Sequence, residues 1–423
     1  MIDFMRGDII VGLDIGTRSV RMAAGQVVMT GGREQLHILG AVEVPSEGMK
    51  KGVVLNVEDV VSGISMCRER LERLIGMPVE NVYTSINGSR ILCQESRGLV
   101  GILKPNGEID EEDKSRALEQ AQTIIVPPNY EILHVIEKGY SVDGQPNIKD
   151  PVGMTGIRLE VNALLIETPL TNLKNLTKCI FRAGININDI VLGIISDTEL
   201  VLTSRQKDVG AIVINIGAAT TGVAVYEEGE LVHVAILPIG SDYITQDINL
   251  VFKTSYLEVA EKLKVRHGSA SSRNISKKDE IDISAEDDGG AEAISRKALA
   301  DIIEARVEEI FSKVNSELKK INRIGLLPAG AILCGGGAKL EGIIEVAKRE
   351  LKLPATVGYP IDVSSVSEKI NDPAFITALG LIKWGSERQG VPKDVLQGIF
   401  STIKRWFDVV VSKTGDSLKI IFK

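Results

Sequence analysis

The stretch Gly7 to Gly25, GDIIVGLDIGTRSVRMAAG, constrains the fold more than any other part of the chain. Ile9, Ile10 and Val11 are β-branched and open a buried strand that runs to Leu13. An acid (Asp14), a glycine corner (Gly16) and a hydroxyl-rich turn follow, and a second strand begins. Gly16 admits backbone angles closed to other residues, so the reversal can be tight. Thr17, Arg18 and Ser19 then offer N–H groups, two hydroxyls and a guanidinium above the turn. Such a surface suits an anion such as a phosphate, and Asp14 beside it suits a metal ion held through water. A single copy reads equally well as an ordinary hairpin whose glycine and acid serve only the turn.

A second copy narrows that choice. Asp208 to Tyr226, DVGAIVINIGAATTGVAVY, repeats the layout, with Asn215 where Asp14 falls and Gly217 where Gly16 falls; Thr220 and Thr221 supply hydroxyls. A third glycine run, Gly335, Gly336 and Gly337 followed by Lys339, closes another apolar strand, and Leu340 to Ile343 opens a helix. A lone glycine motif says little. Three elements in this order resemble the actin, Hsp70 and sugar-kinase superfamily, whose hairpins grip phosphates from opposite domains while the glycine run lies against adenosine. The resemblance implies ATP and magnesium as ligands, with Asp14 reaching the metal through water. The fold it implies is α/β, a two-domain actin-like ATPase fold with a duplicated ribonuclease-H-like core.

At 423 residues the chain has room for two or three domains, and its 44% hydrophobic content can fill their cores. A net charge of -8 and only 4% aromatic residues argue against nucleic acid as a partner. Cys67, Cys93, Cys179 and Cys334 lie far apart without a CxxC, which excludes zinc spacing and suits reduced thiols in a cytoplasm. The N-terminus runs straight into the first strand without a signal-peptide core, and no apolar run reaches the roughly 18 residues a membrane span needs.

Gln35 to Val44 alternates like a further strand, Asn56 to Ile75 has helical apolar spacing, and Val82 to Ile86 reads as another strand. Residues 89–167 leave this pattern. Strands near Arg90–Leu103, Ile132–Val142 and Ile157–Ile166 accompany a helix from Asp110 to Ile124, with Asp110 as its cap, which predicts a small α+β insert. Inside it, Ile148 to Glu160 reads IKDPVGMTGIRLE; with GLDIGT at 12–17, AEKLKVRHG at 260–268, IIEARVEEIF at 302–311 and CGGGAKLEG at 334–342, it resembles the bacterial cell-division family FtsA. That resemblance runs through about Ser386 and implies an SHS2-type subdomain, 1C, at the insert.

The implied organisation is a first part of domain 1 at 1–88, the 1C insert at 89–167 and the rest of subdomain 1A at 168–207. Domain 2 follows at 208–385, with subdomain 2B at about 243–325, then a linker at 386–393 and a membrane-targeting segment at 394–423. Glu261 and Lys264, three apart on one helix face, form either a surface ion pair or, as the superfamily implies, the group that reaches the ribose hydroxyls. Gly268 to Gly290 is polar and reads as a mobile loop or a two-strand flap. The long helix from Ile294 to Ile321 turns Ile302, Ile303, Val307, Ile310, Phe311 and Val314 inward and Arg296, Glu304, Arg306 and Glu308 mainly outward. That outer face is either simply solvated or, as the FtsA resemblance implies, the surface of 2B that receives the C-terminal tail of FtsZ. The same resemblance implies filaments of the chain itself, contacts with other division proteins, and work at the cytoplasmic face of the cell membrane at the division site.

Two departures from the superfamily pattern stand out. Asn215 occupies a position where ATP-hydrolysing relatives usually carry aspartate, and Ala218 and Ala219 replace a glycine-rich turn. Asparagine keeps the shape but loses the charge and the ability to accept a proton. Asp14 is then the one clear carboxylate near magnesium, while Asp197 and Glu199, just ahead of the second hairpin, are acids able to position a water. This predicts a nucleotide site with slow turnover at most.

Beyond the core, Leu396, Ile399, Phe400, Ile403, Trp406, Phe407 and Val410 recur at helical spacing, with Lys404 and Arg405 on the other face. From Lys393 onward six Lys/Arg against three Asp give a local +3 on an otherwise acidic chain. The profile suits an interfacial helix on anionic lipid, and the FtsA resemblance implies a membrane anchor; a helix docked on the protein's own core is the alternative. A pilus-assembly adaptor of the PilM type shares the fold and insert and is the nearest rival reading, with a small-molecule kinase behind it. The amphipathic helix favours FtsA.

Overall fold

The computed structural model describes residues 9–30, 33–124, 126–283, 293–365 and 368–388. The first hairpin pairs Ile10–Ile15 with Ser19–Thr30, and every residue of Ile10–Ile15 is buried, as its run of apolar side chains dictates. Around it a six-stranded sheet runs Asn186–Leu192, Asn81–Ile86, Ile10–Ile15, Ser19–Thr30, Arg33–Pro45, Val363–Ser365. The second hairpin centres a five-stranded sheet, Ala355–Val357, Gly330–Cys334, Ala211–Ile216, Thr221–Glu227, Glu230–Leu237. In both, three antiparallel strands continue into parallel ones at the first strand of the hairpin, so one scheme is used twice.

Helix Val57–Ile75 covers the first sheet with Val60, Ile64, Cys67 and Leu71, none more than 1% exposed. Asn56 caps its start by accepting the Glu58 N–H, and Gly76, with φ of 72°, ends it. A second core gathers under helices Ser241–Phe252, Leu257–His267, Arg296–Lys320 and Ile343–Leu351. The insert has its own antiparallel sheet, Leu92–Gly101, Arg158–Pro169, Tyr130–Val142, Gln145–Ile148, packed on helix Glu111–Ala121. Asp110 caps that helix as predicted, in a reciprocal box with Asp113. Of the two readings for 268–290, the described part is the flap: Glu280–Asp282 pairs with Ala293–Ser295 and buries Ile281, Ile283 and Ile294.

One expected boundary is wrong. Residues 208–385 do not all belong to the second domain, because Val363–Ser365 pairs in parallel with Arg33–Pro45 of the first sheet. Helix Ile376–Arg388 then packs back on the first sheet and on helix Gly193–Val201. Glycine makes these contacts possible: a Cβ at Gly12 would sit 2.0 Å from the Ala378 carbonyl oxygen, and one at Gly380 2.2 Å from that of Ser196. The helix also runs through 386–388, so the expected linker does not start at 386; residues 389–393 lie outside the described residues. So do Leu396, Ile399, Phe400, Ile403, Lys404, Arg405, Trp406, Phe407 and Val410.

Candidate functional site

The two hairpin turns face each other across a cleft of about 560 Å³. Their geometry matches closely: Gly16 donates its N–H to the Ser19 carbonyl at 3.0 Å, and Gly217 to that of Thr220 at 2.9 Å. Asp14, Gly16, Thr17, Arg18 and Ser19 line one wall, and Asn215, Gly217 and Thr220 the other; Glu261, Lys264, Gly335, Gly336, Gly337 and Lys339 complete it. The glycine run folds as a tight turn against the second hairpin, where Cβ atoms at Gly335 and Gly337 would meet Asn215 and Ile216 at 2.3 and 2.4 Å. A Cβ at Gly336 meets nothing within 4 Å and would project into open space.

Thr221 does not belong to the site. It is fully buried, and its hydroxyl donates to the Ile239 carbonyl at 2.8 Å. As the first residue of strand Thr221–Glu227 it points to the face opposite Thr220, as strand alternation requires.

Asp14 is 7% exposed and accepts the Ser85 hydroxyl at 2.6 Å. Burial raises its carboxyl above the ordinary value, against the pull of Ser85 and of the Arg21 charge opposite it in the hairpin. A buried carboxylate at the floor of a cleft fits a hard cation, bound through water since no cluster of three or more metal-ligating side chains occurs among the described residues.

Glu261 and Lys264 form an ion pair at 2.7 Å, and Lys264 also donates to Thr245 at 2.9 Å and to the Ser241 carbonyl at 3.2 Å. Burial pushes Glu261 up, but Lys264, Thr245 and Arg18 outweigh it and hold the carboxyl low. Helix Ser241–Phe252 is tied to the second hairpin, since Ser241 and Asp242 donate their N–H groups to Gly217 and Ala218 at 2.9 and 2.7 Å. From the opposite wall Arg18 reaches over to Asp242 at 2.8 Å and Lys51 stands over the Tyr243 ring at 5.7 Å, so cations of the first domain bridge the cleft mouth. Lys339 pairs with Asp372 at 2.8 Å.

The sequence reading undercounts the carboxylates. Asp197 is fully buried behind Asn215 and accepts its side-chain N–H at 2.6 Å, so Asp14 is not alone. Glu199 instead pairs with Lys207 at 2.7 Å and does not line the cleft. The only sequence signal for Asp197 was its place on the segment entering the second hairpin.

The expected outer face of the long helix is also different. Arg306 clasps Asp247 with two bonds of 2.6 and 2.9 Å, Glu304 and Glu308 share Arg349, and Arg296 lies near Asp279 and Glu341. All four are half-buried in internal ion pairs instead of standing free in solvent.

A duplicated sheet with a cleft between its hairpins defines the actin-like fold. Solved structures agree: the PilM–PilN type IV pilus biogenesis complex aligns with a TM-score of 0.63 at 16% identity, covering 89% of this chain and 98% of that one. The structure of MreB 5 of Spiroplasma citri bound to AMPPNP aligns at 0.51 and 14% identity, covering 92% and 99%. Within that class, residues 212–380 match the family "Cell division protein FtsA" and 88–167 the "SHS2 domain inserted in FTSA". The chain is 32% identical over 389 residues to the cell division protein FtsA of Pseudomonas aeruginosa, covering 92% of each. It belongs to the FtsA family of cell-division proteins.

Proposed function

We propose that this chain binds magnesium–ATP between its hairpins and tethers FtsZ to the cytoplasmic face of the cell membrane at the division site. The observation that carries the nucleotide reading is the pair of equivalent hairpins across one cleft, whose lining includes Gly336 with open space beside it. When bound, magnesium would neutralise phosphate charge; Asp14 would hold it through water, and Thr17, Ser19, Thr220 and the turn N–H groups would take the phosphates. Glu261 and Lys264 are pre-set by Thr245 for the ribose hydroxyls. Hydrolysis is slow at most, because the second hairpin offers an amide and no proton acceptor.

The FtsZ tail is assigned to subdomain 2B. Leu250, Val251 and Tyr256 are 75%, 56% and 71% exposed there, apolar side chains at and just past the end of helix Ser241–Phe252, whose Asp247 is held by Arg306. Filaments form through the 1C insert, and the amphipathic segment around Trp406 binds anionic lipid, with avidity along the filament making weak single anchors effective. Vesicle co-sedimentation with FtsZ tests the tether. The wild type is expected to carry FtsZ into the pellet and Trp406→Glu to leave both soluble with nucleotide binding intact; equal pelleting of the two would sink the anchor. Removing residues 89–167 should leave a soluble core without filaments in electron micrographs, and filaments of unchanged appearance would refute the role of the insert.

A further inference from the structure

We propose that Asp197 is a positioning residue of the cleft: it fixes the Asn215 amide so that a neutral carbonyl oxygen of the second hairpin, and no charge, faces the glycine run. The inference rests on the reading of this cleft as a nucleotide site. Asp197 comes from helix Gly193–Val201, which lies between the two sheets, and it is 0% exposed. Its Oδ2 accepts from Asn215 Nδ2 at 2.6 Å, and the same nitrogen reaches Thr377 Oγ1 at 3.2 Å. With Asn215 Nδ2 donating to this carboxyl and to Thr377, the amide nitrogen faces Asp197 and the carbonyl oxygen turns away from it. That oxygen lies against the glycine run, where a Cβ at Gly335 would approach it to 2.3 Å.

Burying an acid is destabilising in itself, and the polar neighbours that meet the Asp197 carboxyl, Asn215 and Thr377, both line the cleft. The arrangement also explains why asparagine suits position 215. Aspartate there would set two carboxyl groups 2.6 Å apart, one of them fully buried, where only one can ionise. The acid is thus kept one layer behind the cleft wall.

The test exchanges the pair. Wild type, Asp197→Asn, Asn215→Asp and the double exchange are compared by thermal melting without nucleotide, and by titration with a fluorescent ATP analogue with and without magnesium. Asn215→Asp is expected to melt lower and bind the analogue at least about tenfold more weakly, since two acids compete for one charge. The double exchange is expected to restore melting and bring binding back to within roughly threefold of wild type, because contacting residues couple. Its carboxylate now faces the cleft, so its binding should depend more steeply on magnesium. Asp197→Asn should melt no lower than wild type yet bind about three- to tenfold more weakly, as the 215 amide becomes free to flip. An Asn215→Asp protein indistinguishable from wild type, or a double exchange as impaired as that single variant, would overturn the proposal. Loss of analogue binding in all four, wild type included, would refute the nucleotide reading instead, while the melting comparison still decides the pairing.

Discussion

Asp197 also sets an unusual pH dependence. Burial pushes its carboxyl up to about 7 from an ordinary 3.8, against the pull of Asn215 and Thr377 and with the Asp14 charge adding to the rise. A folded-state value above the unfolded one means the folded protein binds the extra proton. The resulting stability is complete below 3.8 and is lost as the pH climbs through about 7. The stability of wild type relative to Asp197→Asn, read from urea midpoints, is therefore expected to fall steadily over that window and level off above it; a flat difference contradicts the assignment. At this scale the sequence was legible only where chemistry is local. The equivalence of Asp14 and Asn215 follows from the strand–glycine–hydroxyl pattern, and the misassignment of Thr221 from overlooking alternation between neighbouring strand residues. Asp197 meets Asn215 from a different element, and the fourfold ion pairing of Arg306, Glu304, Glu308 and Arg296 depends on partners far along the chain. No pattern in the sequence announces either.

Among the elements, helix Ile376–Arg388 most needs the tertiary structure to be understood. It is apolar nearly all round, with Ile376, Ala378, Leu379, Leu381 and Ile382 at 0% exposure, the signature of a helix packed on several sides. Its position in sequence, after the glycine run, suggested the second domain, whereas Ser364 meets His37 of the first sheet at 3.0 Å. Trp384 donates to Asp189 at 2.8 Å and lies edge-on to His134, which fastens the end of the described chain to the root of the insert. His134 accepts the Leu192 N–H at 3.0 Å and burial lowers its pKa to about 3, so it does this work as the neutral ring. The fit of this helix can be tested at Gly12. A methyl there meets the Ala378 carbonyl at 2.0 Å, and overpacking of this kind costs about 1–3 kcal/mol or more. Gly12→Ala should lower the urea midpoint markedly with an unchanged slope, and a wild-type midpoint would mean the helix is not seated as described.

For the molecule as a whole, two copies of one sheet scheme meet at a single cleft, and the sequence disclosed this because each copy carries its own turn motif. What it could not disclose is the closure of the mouth, where Arg18 on Asp242 and Lys51 on Tyr243 join residues far apart in the chain. Both domains contribute to the floor as well, through Asp14 and the Asp197–Asn215 pair. The nucleotide reading and the role given to Asp197 both rest on what that cleft holds. The most direct measurement is a calorimetric titration of magnesium–ATP into the wild type and Gly336→Asp. The variant should fold normally, because a Cβ there meets nothing within 4 Å, but its carboxylate enters the cleft against the nucleotide. Saturable one-to-one binding by the wild type, abolished in Gly336→Asp at an unchanged melting temperature, is the predicted result; a wild type that does not bind, or a variant that binds equally well, contradicts the account.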